Sequence, residues 1–123
     1  MPKKIVDAGD PYQRQVQASV AAVLEELNRP ELESVICYQS RVGPLEWIGP
    51  ATDAEIARAA REKRAIVVVP IAFVSEHSET LVELDIEYAE LARHNGAAAY
   101  IRIPTVGVQP AFIAGLAGLV RQA

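Results

Sequence analysis

Residues 65–71 read Ala-Ile-Val-Val-Val-Pro-Ile, an unbroken apolar and largely β-branched run. Such a run predicts a strand covered on both faces, as in a parallel sheet, because a strand with one wet face would alternate. The next thirty residues constrain the topology. A short turn leads into a helix expected from about Ser78 to His94, Gly96 stands where a C-cap glycine belongs, and residues 98–103 read as the next strand, stopped by Pro104. Strand, helix and strand in that order predict a parallel pair joined by a crossover helix.

The flanking segments extend the same pattern. Asp10 followed by Pro11 reads as an N-cap with proline at the first helical position, and Gln13 completes a capping box. Val16, Val20, Val23, Leu24 and Leu27 then recur at helical spacing, which predicts a helix over residues 11–28. After Pro30, residues 34–39 read as a strand. A loop with two Gly and two Pro comes next, tipped by Leu45, Trp47 and Ile48, and a loop this long in a small domain is usually functional. Thr52-Asp53-Ala54-Glu55 has the form of a capping box for a helix of about ten residues. The last helix, residues 110–122, is expected to bury Phe112, Ile113, Leu116, Leu119 and Val120, with Gly115 and Gly118 allowing close packing.

The fold class is therefore α/β, one domain over residues 1–123, with a parallel sheet between helices. One strand is expected to be lacking. Units of this kind normally begin with a strand, whereas this chain begins with a helix. In the usual doubly wound order the lacking strand lies between the strands of residues 34–39 and 65–71. Dimerisation, strand exchange or pairing with a separate polypeptide is the expected remedy.

Charge excludes some functions. A net charge of -4 and scattered basic residues argue against a nucleic-acid surface, which needs clustered Lys and Arg. Cys37 is the single cysteine, so neither an intramolecular disulfide nor a cysteine-built zinc or iron–sulfur site fits within one chain, and a reducing, cytoplasmic setting is expected. No apolar run approaches a membrane span, which leaves peripheral membrane contact open.

The chemistry concentrates in one segment. From residue 65 to 92 there is no Lys or Arg, while Glu76, Glu79, Glu83, Asp85, Glu87 and Glu90 all fall there. Something outside the segment must balance these acids, and a cation is the simplest candidate. In an ideal α-helix Glu79, Glu83, Glu87 and Glu90 span an arc of roughly 80°, opposite Leu81, Leu84, Tyr88 and Leu91. Taken alone, such a row reads as a solvated helix face before it reads as a cation path. His77 reads first as a turn residue, Trp47 as a plug over the core and Cys37 as a small buried hydrophobe. Ligands of open α/β sheets bind beyond the carboxyl ends of the strands, where the His77 turn and the Trp47 loop both emerge.

Two long motifs carry a resemblance. Tyr38-Gln39-Ser40-Arg41-Val42-Gly43-Pro44-Leu45-Glu46-Trp47-Ile48-Gly49-Pro50-Ala51-Thr52-Asp53 closely resembles the YQSRVGPxxWLGPxTD segment of ferrochelatases. Residues 70–88 resemble their PIAFVSEHxETLxELDxEY signature, and Gly9-Asp10-Pro11-Tyr12 their GDPY helix entry. The likeness is collinear from about Pro2 onward and corresponds to the C-terminal third of such enzymes, just after a family SAHGLP-type segment whose histidine is central to catalysis.

The resemblance implies a Rossmann-like, three-layer chelatase domain that inserts ferrous iron into a porphyrin to make haem. It implies that Glu79 is the active-site carboxylate, with His77 two residues before it. It implies that Glu83 and Glu87 continue an acidic row guiding metal or protons. Trp47 then lies near the macrocycle, and Gln39, Ser40 and Arg41 line its propionate side. Ferrous iron is the substrate, no resident cofactor or iron–sulfur cluster is needed, and the partner is a second copy or a separate N-terminal half. Activity of this part by itself is not expected; a non-catalytic porphyrin- or metal-binding module is the alternative. Short homodimeric chelatases acting on sirohydrochlorin-type rings match the two motifs less well.

Overall fold

In the computed structural model the chain is described over residues 2–7, 9, 11–38 and 49–122. Its elements in order are α1 (Lys3–Asp7), α2 (Tyr12–Leu27), α3 (Thr52–Arg61), β1 (Ala65–Val68), a π-helical segment (Glu79–Glu87) continuing into α4 (Tyr88–Asn95), β2 (Ala99–Arg102) and α5 (Pro110–Gln122). β1 and β2 pair in parallel with Ile66 opposite Tyr100 and Val68 opposite Arg102. The crossover between them is the predicted helix, and the fold is mixed α/β with an open parallel sheet. Gly96 caps α4 in the left-handed region at φ 94°, as its position implied.

The core lies on one side of the sheet. α3 packs on α4 and β1, and α4 on β2. Ile56, Ala60, Leu84 and Ala92 are buried there, the two alanines bringing the helices close. A second, smaller cluster joins Val16 of α2 to Tyr38, flanked by Tyr12, Val20, Ile36 and Ile71.

The opposite sheet face is bare. Val67 and Ile101 are 57% and 54% exposed, so β1 alternates in burial instead of being covered twice. A continuous apolar run shows that both faces can be covered, and the layer that would do so is not among the described residues. α5 forms as predicted but buries none of its side chains. Phe112 is half-buried, while Ile113, Leu116, Leu119 and Val120 are exposed. A Cβ placed on Gly115 or Gly118 would meet nothing, so the close packing inferred for them is absent among the described residues.

Residues 34–37 carry no ladder. Tyr38, next to them, makes an isolated parallel bridge to Ala51, through Tyr38 N–H to the Pro50 carbonyl and Thr52 N–H to the Tyr38 carbonyl. An apolar β-branched stretch becomes a strand only where a neighbour supplies hydrogen bonds, and none of the described residues does so here. The same bridge overrides the predicted cap. Thr52 is the first residue of α3 and Ala51 its N-cap, with no side-chain cap bond. The Thr52 side chain is instead buried, hydrogen-bonded to the Cys37 thiol. α2 begins at Tyr12 after Pro11; the Asp10 cap lies outside the described residues.

Candidate functional site

The turn between β1 and the π-helical segment is built from short local bonds. Beyond β1 the chain tightens through Ile71 N–H to the Val69 carbonyl (2.9 Å) and Phe73 N–H to the Pro70 carbonyl (3.1 Å), and Pro70 is buried. The Phe73 and His77 rings then pack with centroids 4.8 Å apart, tilted 60°. His77 N–H donates to Thr80 Oγ1 at 3.0 Å, and Glu79 N–H donates to His77 Nδ1 at 3.3 Å. An Nδ1 that accepts leaves the ring's proton on Nε2. His77 and Glu79 are thus coupled directly, ring to backbone.

Winding of the helix changes the geometry read from sequence. Residues 79–87 follow i→i+5 hydrogen bonding, which places more residues in each turn than an α-helix does. Residues four apart ride over one another, so the buried row is Thr80, Leu84, half-buried Tyr88 and Ala92. Leu81, expected on that row, is exposed. The carboxylates Glu79, Glu83 and Glu87 each precede a member of the buried row, so they flank the packed side instead of opposing it. Glu79 and Glu83 are half-buried and Glu87 is exposed. Among the described residues no three acidic, histidine or cysteine side chains stand close enough to hold a metal ion.

Much of the acid is balanced by the protein. Arg102 of β2 donates to Asp85 through Nε and Nη2, both at 2.7 Å, and to Glu76 through Nη1 at 2.7 Å. Glu76 also accepts Thr80 Oγ1–H at 2.7 Å and Thr105 N–H at 2.9 Å. These donors, Arg102 foremost, lower the Glu76 carboxyl to about 2, and Arg102 likewise lowers Asp85. Glu90 pairs with Arg93. The cation inferred from sequence to balance Glu76 and Asp85 is therefore an arginine of the next strand. Tyr88 donates to Glu83 at 3.4 Å, and burial followed by the nearby Glu83 charge pushes its phenol up, so it remains a donor.

Glu79 borders a cavity of about 220 Å³ lined also by Tyr12, Cys37, Tyr38, Phe73 and Leu84. The Tyr38 hydroxyl is buried beside Gln13. Burial raises the Cys37 thiol above its ordinary value, which makes it a poor thiolate. The cavity opens at the carboxyl end of β1, between it and residues 37–38, the position expected for a ligand crevice. Gln39, Ser40, Arg41 and Trp47 lie outside the described residues.

Sequence reasoning assigns no functional role to Arg102, Thr80 or Tyr88. A signal for Arg102 exists: period-two alternation puts it on the same face as Tyr100, the helix-covered face, where an unneutralised cation does not belong.

The sequence model described as Ferrochelatase matches residues 1–123. The chain is 60% identical over 121 residues to a ferrochelatase of Caulobacter vibrioides (strain NA1000 / CB15N), covering 98% of this chain and 35% of that one. It is 59% identical over 118 residues to one of Phenylobacterium zucineum (strain HLK1), covering 95% and 34%. It is 51% identical over 120 residues to one of Rickettsia conorii (strain ATCC VR-613 / Malish 7), covering 98% and 35%. The chain thus spans about a third of the length of the curated relatives it matches.

Proposed function

The chain belongs to the ferrochelatase family, and we propose that it supplies the Glu79 side of a site that inserts ferrous iron into a porphyrin in haem biosynthesis. The observation that carries this reading is the coupling of Glu79 and His77 in one turn at the carboxyl end of β1, with Glu79 on the wall of a cavity.

Metallation exchanges two pyrrole protons for one divalent ion, so the site must accept protons and strip water from the metal. Glu79 is the proton acceptor, because a half-buried carboxylate at a cavity wall is a base within reach of a bound ring. His77 stands beside it as the second polar group, its Nδ1 engaged by the Glu79 amide. Glu83 and Glu87 continue the row towards water, passing metal inward or protons outward. Gln39, Ser40 and Arg41 meet the propionates, and Trp47 holds the flat ring. Ferrous iron is the substrate and no resident cofactor is required.

Partnership is part of the proposal. Bare Val67 and Ile101 and the uncovered α5 leave large apolar surfaces for a small chain, and a second copy or a separate N-terminal half would cover them. The setting is cytoplasmic; among the described residues no helix is long and apolar enough to cross a membrane.

The test is zinc-porphyrin formation followed by fluorescence, with the chain alone and mixed with the part of the Caulobacter vibrioides relative that the match does not cover. We expect a Soret shift without metallation from the chain alone, and metallation from the mixture. Metallation by the chain alone at the mixture's rate contradicts the need for a partner. Binding without metallation in both settings favours the second reading, a porphyrin-binding module, which the short span of the match makes specific.

A further inference from the structure

Between β2 and the site lies a network that the proposed reaction does not itself use. The Arg102 side chain is only 9% exposed, and its three nitrogens are committed to Glu76 and Asp85. These two acids bracket His77 and Glu79 in the sequence, one before the turn and the other inside the π-helical segment. Glu76 takes both the Arg102 Nη1 donor and the Thr105 amide on one oxygen, and the fully buried Thr80 hydroxyl on the other. That hydroxyl lies within donating reach of Glu76 at 2.7 Å and of the His77 carbonyl at 3.0 Å, and its oxygen receives His77 N–H at 3.0 Å. A chain of hydrogen bonds thus links Arg102, Glu76, Thr80 and the His77 amide, with Glu76 accepting from both Arg102 and Thr80 and Thr80 accepting from His77, and the His77 ring in turn receives Glu79 N–H.

We propose that Arg102 is a positioning residue for the His77–Glu79 pair, its planar fork locking Glu76 and Asp85 so that the turn between them is held in one conformation. The inference rests on the proposed function for its purpose, but not for its geometry. Length and charge alone are insufficient. A lysine could neutralise one carboxylate at a time, whereas two parallel bonds to Asp85 and a third to Glu76 require the five-donor guanidinium. The alternative tie from this turn to the β2 exit, Gly107 N–H to the Val74 carbonyl at 2.7 Å, lies upstream of Glu76 and does not touch His77.

The test compares wild type with Arg102→Met, Arg102→Lys and Glu76→Gln, reading two tetrapyrrole-free signals by NMR: hydrogen-exchange protection of the His77 amide and the nitrogen shifts of the His77 ring. In Arg102→Met we expect His77 amide protection to fall about tenfold or more and the Nδ1 shift to move towards a mixture of tautomers, while protection of the Leu84 and Ala92 amides changes by less than about threefold. Arg102→Lys should behave like the methionine variant. If Arg102→Met fails to fold, Glu76→Gln, which keeps the shape of the turn, should show the same selective loss. Unchanged His77 signals in a folded Arg102→Met or Glu76→Gln chain overturn the proposal, as does full rescue by lysine or an equal loss at every amide. Since neither signal involves porphyrin or metal, their failure leaves the metallation reading standing, and its failure leaves theirs.

Discussion

Truncating Leu84 to alanine tests the packed face of the helix that carries the acidic row. Leu84 is 1% exposed and its carbonyl accepts the Tyr100 hydroxyl of β2, whereas Ile86, two residues on, is 64% exposed. A Leu→Ala change at a closed site costs about 2–5 kcal/mol, the spread reflecting how far the surroundings collapse. Here Leu84 also borders the cavity beside Glu79, so its loss merges two voids, and about 3 kcal/mol is the expected cost. An unfolding entropy of about 2.1 cal/mol/K per residue gives about 0.26 kcal/mol/K for 123 residues, so Tm should fall by about 12 °C. Ile86→Ala should change stability by no more than about 0.5 kcal/mol, or about 2 °C. The assay is urea and thermal unfolding of both variants by circular dichroism, at chain concentrations where wild type is monodisperse. Equal losses, or a larger loss for Ile86, would show that Leu84 does not hold the inward position.

Three further outcomes are expected from the same geometry. Tyr100→Phe removes a 2.6 Å bond from the hydroxyl to the Leu84 carbonyl and should lower stability by about 1–2 kcal/mol in urea titrations; the intact phenol, pushed to about 12 mainly by burial, should not titrate spectrophotometrically at pH 10. Glu76 and Asp85 bind protons less readily folded than unfolded, so their stabilisation is complete above the ordinary carboxyl value of 4.5 and is lost as pH falls towards about 2 for Glu76. Urea midpoints measured between pH 6 and 2 should decline in wild type, and the decline should be shallower in Arg102→Met. The Cys37 thiol should react with a disulfide reagent at pH 8 about tenfold more slowly in the folded chain than in urea, because burial raises its proton affinity.

How much of this the residues announce depends on whether the deciding partner is local. The β1–helix–β2 unit is legible because an apolar run, Gly96 and Pro104 mark its limits within a few residues. Residues 34–37 are not, since strand formation needs a neighbour and β propensity cannot say whether one is present. The Thr52 cap is displaced by a bridge from Tyr38, on the far side of the Gly/Pro loop, and the burial expected of α5 requires a surface that the described residues do not offer. At the site, His77 and Glu79 can be named from the turn, whereas their support by Arg102 spans twenty-six positions from Glu76 and is invisible to any local window. The acidic row itself is legible but its orientation is not, because 100° per residue holds for an α-helix and fails for i→i+5 winding.

Catalysis, as proposed, rests on Glu79 acting as a base towards a bound tetrapyrrole. The most direct measurement is the initial rate of zinc-porphyrin formation by the mixture of this chain with the remaining part of its Caulobacter vibrioides relative, wild type against Glu79→Gln, with porphyrin affinity read in parallel from the Soret band. General-base catalysis contributes about 10²–10⁴-fold, so the expected result is a rate at least about 100-fold lower with affinity changed by less than about threefold. A Glu79→Gln chain that metallates at the wild-type rate would contradict it.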